Sequence, residues 1–195
     1  MNPMPASVYV VLLHYPIRNR HDQEVVTAVT NLDIHDIART ARTYGAKGYF
    51  IVTPIRDQHE VIGRILGHWE KGTTREEHPD RAEALSLVQL VSTFAEVKAA
   101  ILKESGEEPE VVLTDARKVP GQVSYADFRR EWESSPVRKR PLAIILGTGW
   151  GVAESFNPEV HRTLEPVFGP GREGGYNHLS VRAAAAVIMD RLFGL

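Results

Sequence analysis

The sequence predicts an α/β protein, a mostly parallel sheet flanked by helices. Three observations predict it. Apolar, β-branched runs recur along the chain, amphipathic segments of helical period alternate with them, and no internal repeat, low-complexity tract or long linker breaks the alternation. Strands alternating with helices imply a sheet covered on both faces. The 195 residues fit one domain, taken as residues 1–195.

The elements follow in order. Residues 7–14 (SVYVVLLH) form a continuous apolar run and predict a buried strand. Residues 16–29 are polar and predict a loop. Thr30 or Asn31 can cap a helix whose apolar positions are Ile34, Ile37, Ala38, Ala41 and Tyr44, with Gly45 ending it. Residues 47–53 predict a second strand, stopped by Pro54, and residues 57–71 a helix with Val61, Ile62, Ile65, Leu66 and Trp69 on one face. Residues 72–81 predict an exposed loop and 85–91 a third strand. Thr93 can cap a helix ending near Gly106, and residues 111–114 give a fourth strand. Residues 115–121 read as a loop, 125–133 as a helix and 141–146 as a fifth strand. A helix over 179–193 is apolar nearly all round, so it is buried on more than one side.

Composition excludes several kinds of chemistry. The chain has no cysteine, which removes disulfides, thiolate metal sites and Cys nucleophiles and suits a reducing, cytoplasmic setting. The eight histidines show no metalloprotease spacing, so no metal is expected. No apolar run reaches the roughly 18 residues of a membrane span, and residues 1–7 lack the basic region of a signal peptide. A net charge of −2 argues against a surface that binds nucleic acid throughout, but not against a local basic face. P-loop and nucleophile-elbow motifs are absent.

Glycine is where the sequence departs from background. Seven of the 15 glycines fall between residues 147 and 175, after the fifth strand and before the last helix. Ligands of open α/β sheets sit at the carboxyl ends of strands, where glycine lets backbone approach them. The run Gly147, Thr148, Gly149, Trp150, Gly151 is therefore a candidate ligand loop, or else a set of turns. Residues 169–174 fit G-x-G-x-x-G literally, but they lie late in the chain and no clear helical run follows. That placement argues against a dinucleotide fingerprint and a nicotinamide oxidoreductase.

Three stretches together resemble the SPOUT superfamily of S-adenosylmethionine-dependent RNA methyltransferases. Residues 31–45 (NLDIHDIARTARTYG) resemble its first motif, an Asn followed by a helix carrying an Arg and ending in Gly. Residues 142–151 (LAIILGTGWG) resemble the second, an apolar strand running into a glycine loop. Residues 176–184 (YNHLSVRAA) are similar to the third, a polar turn opening an Ala-rich final helix, in the form of a small bacterial family. The resemblance implies a deep trefoil knot over roughly residues 110–195, a homodimer with the final helix near the interface, and an active site built from both subunits. It implies S-adenosyl-L-methionine as cofactor and structured RNA, tRNA or rRNA, as substrate, methylated at a ribose 2′-hydroxyl or a base nitrogen.

Residue by residue, it implies cofactor contacts from Thr114, Gly147, Thr148, Gly149, Trp150, Gly151, Val167, Gly169, Asn177, His178, Leu179 and Ser180. Asp115 is a further candidate beside them, or a turn residue. Arg39 matches the motif-one arginine that helps activate a ribose hydroxyl, Asn31 is a catalytic candidate or a helix cap, and His178, which stands where ribose-methylating members carry Asn, is a candidate catalytic base or a plain hydrogen-bonding histidine. An RNA face can be assembled from Arg18, Arg20, Arg39, Arg42, Arg56 and the run Arg138, Lys139, Arg140. The competing reading is a non-catalytic module of the same fold that binds the cofactor or recruits a partner.

Overall fold

The computed structural model describes residues 7–70, 73–134, 140–169 and 176–194. Six strands form one sheet. They are β1 (Val8–Leu13), β4 (Gly48–Val52), β5 (Val88–Val91), β6 (Glu110–Thr114), β7 (Leu142–Leu146) and β8 (Arg162–Leu164). Their order is β5-β4-β1-β7-β6-β8 and every adjacent pair is parallel. All carboxyl ends therefore lie along one edge. There β1, β7 and β6 are successive neighbours, each opening into a different loop.

The central strands are buried on both faces, which explains their unbroken apolar runs. Along β1, Val8, Val10 and Leu12 face one core cluster, and Tyr9, Val11 and Leu13 face the other. The first cluster packs beneath α1 (Asn31–Thr43), α4 (Pro79–Leu85), α6 (Tyr125–Ser134) and α7 (Val181–Phe193). The second packs beneath α5 (Phe94–Ser105) and a 3-10 turn, Glu154–Glu159.

Helix α1 begins at a capping box. The Thr30 hydroxyl accepts from the Asp33 N–H at 3.3 Å, and the Asp33 carboxylate accepts from the Thr30 N–H at 3.3 Å. Thr30, not Asn31, is the cap; Asn31 is the first helical residue and is exposed. We expect Thr30→Ala to lower stability by about 1 kcal/mol in a urea titration, because it removes the hydroxyl that caps the helix and bonds the Asp33 carboxylate.

Three sequence expectations are corrected. Residues 16–29 hold a small antiparallel hairpin, β2 (Ile17–Arg18) with β3 (Glu24–Val25). Its polar surface hid one anchor, the fully buried Ile17, which also bridges to Val152. The expected loop over 72–81 contains α3 (Thr73–Glu77) and the start of α4. Pro79, which signals a loop in isolation, sits in the first turn of α4, where its missing N–H costs nothing. The third strand starts at Val88 rather than 85, because Leu85 ends α4 and buries its side chain in the core. Strand β8 and the turn after β7 escaped prediction: three residues carry too short a pattern to register.

No helix of the described residues is long and apolar enough to cross a membrane.

Candidate active site

A cavity of about 620 Å³ opens at the carboxyl edge of the sheet. Each of its walls begins where a strand ends. The loop after β6 supplies Thr114, Asp115, Ala116 and Arg117, and the loop after β7 supplies residues 146–151. Asn177, His178 and Leu179, leading into α7, form a third side, with Val167 nearby. Val181, Ala184 and Ile188 of α7 give an apolar floor. The end of β1 and the chain beyond the hairpin contribute His14, Thr27 and Asp33.

Glycine shapes the β7 loop. Gly149 and Gly151 have φ of +55° and +97°, which side chains other than glycine's adopt only with strain. A Cβ on Gly147 would lie 2.8 Å from Val152 Cγ2. The loop is strapped to the hairpin: Arg18 N–H donates to the Gly151 carbonyl at 2.9 Å, and Trp150 N–H to the Arg18 carbonyl at 3.1 Å. Trp150 itself is 65 % exposed at the rim.

Thr114 donates its hydroxyl to the Ile145 carbonyl at 2.8 Å, tying β6 to β7 under the cavity. Asn177 Nδ2 donates to the Ala116 carbonyl at 3.1 Å, which fastens the segment before α7 to the loop after β6. Asp115 pairs with Arg117 at 2.6 Å, and that pairing raises the guanidinium pKa. Asp115 and the Arg18 and Arg117 guanidiniums converge on Gly151.

The β1 side carries a chain of hydrogen bonds that sequence reading missed. Thr148 Oγ1 donates to the Leu13 carbonyl at 3.2 Å, Thr27 Oγ1 lies 2.6 Å from Thr148 Oγ1, and His14 Nδ1 lies 2.9 Å from Thr27 Oγ1. His14 is fully buried, and burial pushes its imidazole pKa down to about 4, with Asp33 opposing. Its Nε2 is buried and has no partner among the described residues. No short-range signal marked His14; it read as the last residue of a strand.

The expected cofactor residues divide as follows. Thr114, Gly147, Thr148, Gly149, Trp150, Gly151, Val167, Asn177, His178 and Leu179 all line the cavity. Gly169 is exposed and does not line it. Ser180 caps α7, accepting from the Ala183 N–H at 3.2 Å, and lies in a second, shallower depression. Arg39 lies there too, between α1 and α7, rather than in the cavity of its own chain. Asn31 lines neither.

The expected basic face is dispersed. Arg18 pairs with Asp22 at 3.0 Å and Arg42 with Glu83. Arg140 donates to the carbonyls of Glu108 and Pro109, at the amino ends of β6 and β7, opposite the cavity. Arg20 and Arg56 are exposed, and Arg138 and Lys139 lie outside the described residues, as does most of 169–174. Among the described residues no group of three His, Asp or Glu side chains could hold a metal ion.

The family model described as SAM-dependent RNA methyltransferase matches residues 7–194. A tRNA (guanine-N(1)-)-methyltransferase of Oleidesulfovibrio alaskensis is 40% identical over 189 residues, 96% of this chain and 42% of that protein. An uncharacterized protein of Aquifex aeolicus is 42% identical over 187 residues, 96% of this chain and 88% of that one. The chain thus spans 42% of the length of the first relative and 88% of the second. Among solved structures, a methylase family protein of Neisseria gonorrhoeae matches with a TM-score of 0.60 at 16% identity, over 99% of this chain and 84% of that one. At that identity the likeness bears on the fold.

Proposed function

The chain belongs to the family of S-adenosylmethionine-dependent RNA methyltransferases, and from that premise we propose that it binds the sulfonium donor in the 620 Å³ cavity and methylates structured RNA, tRNA or rRNA. The SPOUT resemblance read from residues 31–45, 142–151 and 176–184 is borne out at the level of the family. One observation carries the rest: segments distant in sequence, at 114–117, 146–151 and 177–179, converge on one cavity.

The cavity suits this cofactor. Apolar Leu146, Val167 and Ile188 can take an adenine ring, and loop backbone can hold its polar edges. Bound there, the cofactor supplies an activated methyl group. The chain's residues hold donor and acceptor in line, which can account for much of the rate.

The acceptor is a ribose 2′-hydroxyl or a base nitrogen. The Oleidesulfovibrio relative is named for guanine N1, and its name supports the second. Arg18 and Arg117, whose guanidiniums lie beside Gly151, support a local RNA contact. Residues 1–195 form one domain, with a trefoil knot over roughly 110–195. The hydrogen bond from Asn177, just before α7, to Ala116, just after β6, supports that knot.

The working unit is a homodimer. Arg39 supports this: it sits with Ser180, Arg182 and Ala183 on an open α1–α7 face, where a second subunit would carry it to the partner's cavity. We expect Arg39→Ala to cut transfer of labelled methyl to RNA about tenfold while leaving cofactor affinity unchanged. Unchanged transfer would remove Arg39 from the mechanism. Calorimetry with S-adenosylmethionine, together with mass spectrometry of RNA nucleosides after incubation, tests the reading as a whole. Cofactor binding without any modified nucleoside would favour the non-catalytic module.

A further inference from the structure

We propose that Trp150 receives the substrate nucleotide: the base of the nucleotide being methylated leaves its stack in the RNA and stacks on the exposed indole at the cavity mouth. This rests on the methyltransferase reading above.

The chain has three tryptophans. Trp69 and Trp132 are partly buried and pack against the core. Trp150 lines the rim of the cavity and is 65 % exposed. An indole is among the largest apolar surfaces a side chain can bury, and this one is left in water. Its backbone is held firmly all the same. The Gly151 N–H donates to the Thr148 carbonyl at 3.0 Å, so residues 148–151 close a tight turn with Trp150 inside it. Positive φ at Gly149 and Gly151, on either side of the tryptophan, makes that turn possible.

Arg18 then holds the turn at three points. Its N–H donates to the Gly151 carbonyl, its carbonyl accepts from the Trp150 N–H, and its Nη2 donates to the Trp150 carbonyl at 3.2 Å. The Arg18 side chain is only 14 % exposed, and Asp22 fixes its Nη1 at 3.0 Å. A large aromatic face on a fixed backbone is the arrangement of a stacking platform, because little order has to be gained when a base arrives.

Reach and chemistry select the occupant. The acceptor atom must come within about 3–3.5 Å of the donor's methyl carbon before transfer. A nucleotide in structured RNA is stacked on its neighbours, so it reaches a methyl group inside a cavity only by swinging out. Swinging out forfeits its stacking, and an aromatic side chain at the mouth restores it. Every base has a π face, so the platform serves a ribose acceptor and a base acceptor alike. The cofactor leaves this face free. Leu146, Val167 and Ile188 take its ring inside the cavity, and the backbone of the loop, not the indole, meets its polar edges.

A nucleotide also brings phosphates. Arg117 Nη2 and Arg18 Nη2 lie 3.7 and 3.9 Å from the position that a Cβ on Gly151 would take. The Arg117 side chain is 47 % exposed, so its outer edge is open to a phosphate. Two guanidiniums thus stand one residue from the indole, within reach of the phosphates that flank a stacked base.

The test uses the full chain with 5-fluorotryptophan in place of tryptophan, its three fluorine resonances assigned with Trp150→Phe. The Trp150 resonance should show the deuterium-oxide isotope shift of an exposed ring in the free protein and with S-adenosylhomocysteine. It should lose that shift when the tRNA or rRNA that the wild type methylates is added. Trp150→Ala should raise KM for that RNA on the order of 10- to 100-fold, with S-adenosylmethionine affinity within about twofold. Trp150→Phe, which keeps a π face, should recover most of the loss, and Trp150→Leu, which is apolar without one, should not. RNA lacking the base at the methylated nucleotide should bind the wild type and Trp150→Ala equally. A ring shielded by S-adenosylhomocysteine alone, cofactor affinity lost in Trp150→Ala, full efficiency in Trp150→Leu, or abasic RNA that still prefers the wild type would each overturn the assignment. If the wild-type protein methylates no RNA, the broader reading fails and this inference falls with it; if it does and Trp150→Ala is as efficient, only the role of Trp150 fails.

Discussion

Replacing Gly147 with valine should weaken S-adenosylmethionine binding on the order of 100-fold. The new Cβ would lie 2.8 Å from Val152 Cγ2 and 3.3 Å from the Val152 nitrogen. Relief is not available locally. Val152 is buried and bridged to Ile17, and the next residue, Ala153, donates to the Pro16 carbonyl at 3.1 Å. The γ methyls would press further on the same contacts, so the whole loop from 147 to 152 must shift. Overpacking of this kind costs about 1–3 kcal/mol, and 3 kcal/mol is about a hundredfold in affinity. Calorimetry measures the affinity, and a thermal melt shows whether the fold survives. Gly67→Ala is the control: no atom lies within 4 Å of its Cβ, on a helix away from the cavity. Undiminished affinity in Gly147→Val would mean that the donor does not use this loop.

Acid should remove about 3 kcal/mol of stability through His14 alone. Its imidazole has a folded pKa near 4 against an ordinary 6.5. Above 6.5 the ring is neutral in both states and contributes no pH dependence. Between 6.5 and 4 the unfolded chain takes a proton that the folded ring refuses. Stability therefore falls as pH drops through that window, and 2.5 pH units correspond to about 3 kcal/mol. His35 adds a smaller trend of the same sign, its pKa lowered by burial and then by Arg81. Urea midpoints measured from pH 7 to 4 in the wild type and in His14→Gln separate the two, because only the His14 share disappears in the variant. Equal slopes in both proteins would contradict the buried neutral ring.

Much of the fold was legible because burial writes itself into composition. Strands β1, β4 and β7 are covered on both faces, so their apolar runs could be read directly. Caps at Thr93 and Ser180 and the αL glycine at 106 mark helix ends by local chemistry. The hairpin was illegible because its stability comes from Val152, far along the chain, and not from its own short strands. The same division holds at the site. Glycines 147, 149 and 151 announce a loop, since their need for small size or positive φ is local. His14 announces nothing. Its significance depends on Thr27, 13 residues away, and on Thr148, 121 residues beyond Thr27.

The strap between hairpin and loop sets which parts of this protein move together. The Arg18 N–H donates to the Gly151 carbonyl and the Trp150 N–H to the Arg18 carbonyl, Ala153 N–H donates to the Pro16 carbonyl, and Ser155 donates to Glu24 at 2.5 Å. Neither segment can open without breaking bonds of the other, so residues 16–25 and 148–155 are expected to exchange their amide hydrogens as one cooperative unit. A ligand that orders the loop therefore also orders the hairpin, whose arginines it need not touch. Binding of the small donor would lower the entropic cost of RNA binding, and the reciprocal effect must hold with equal magnitude.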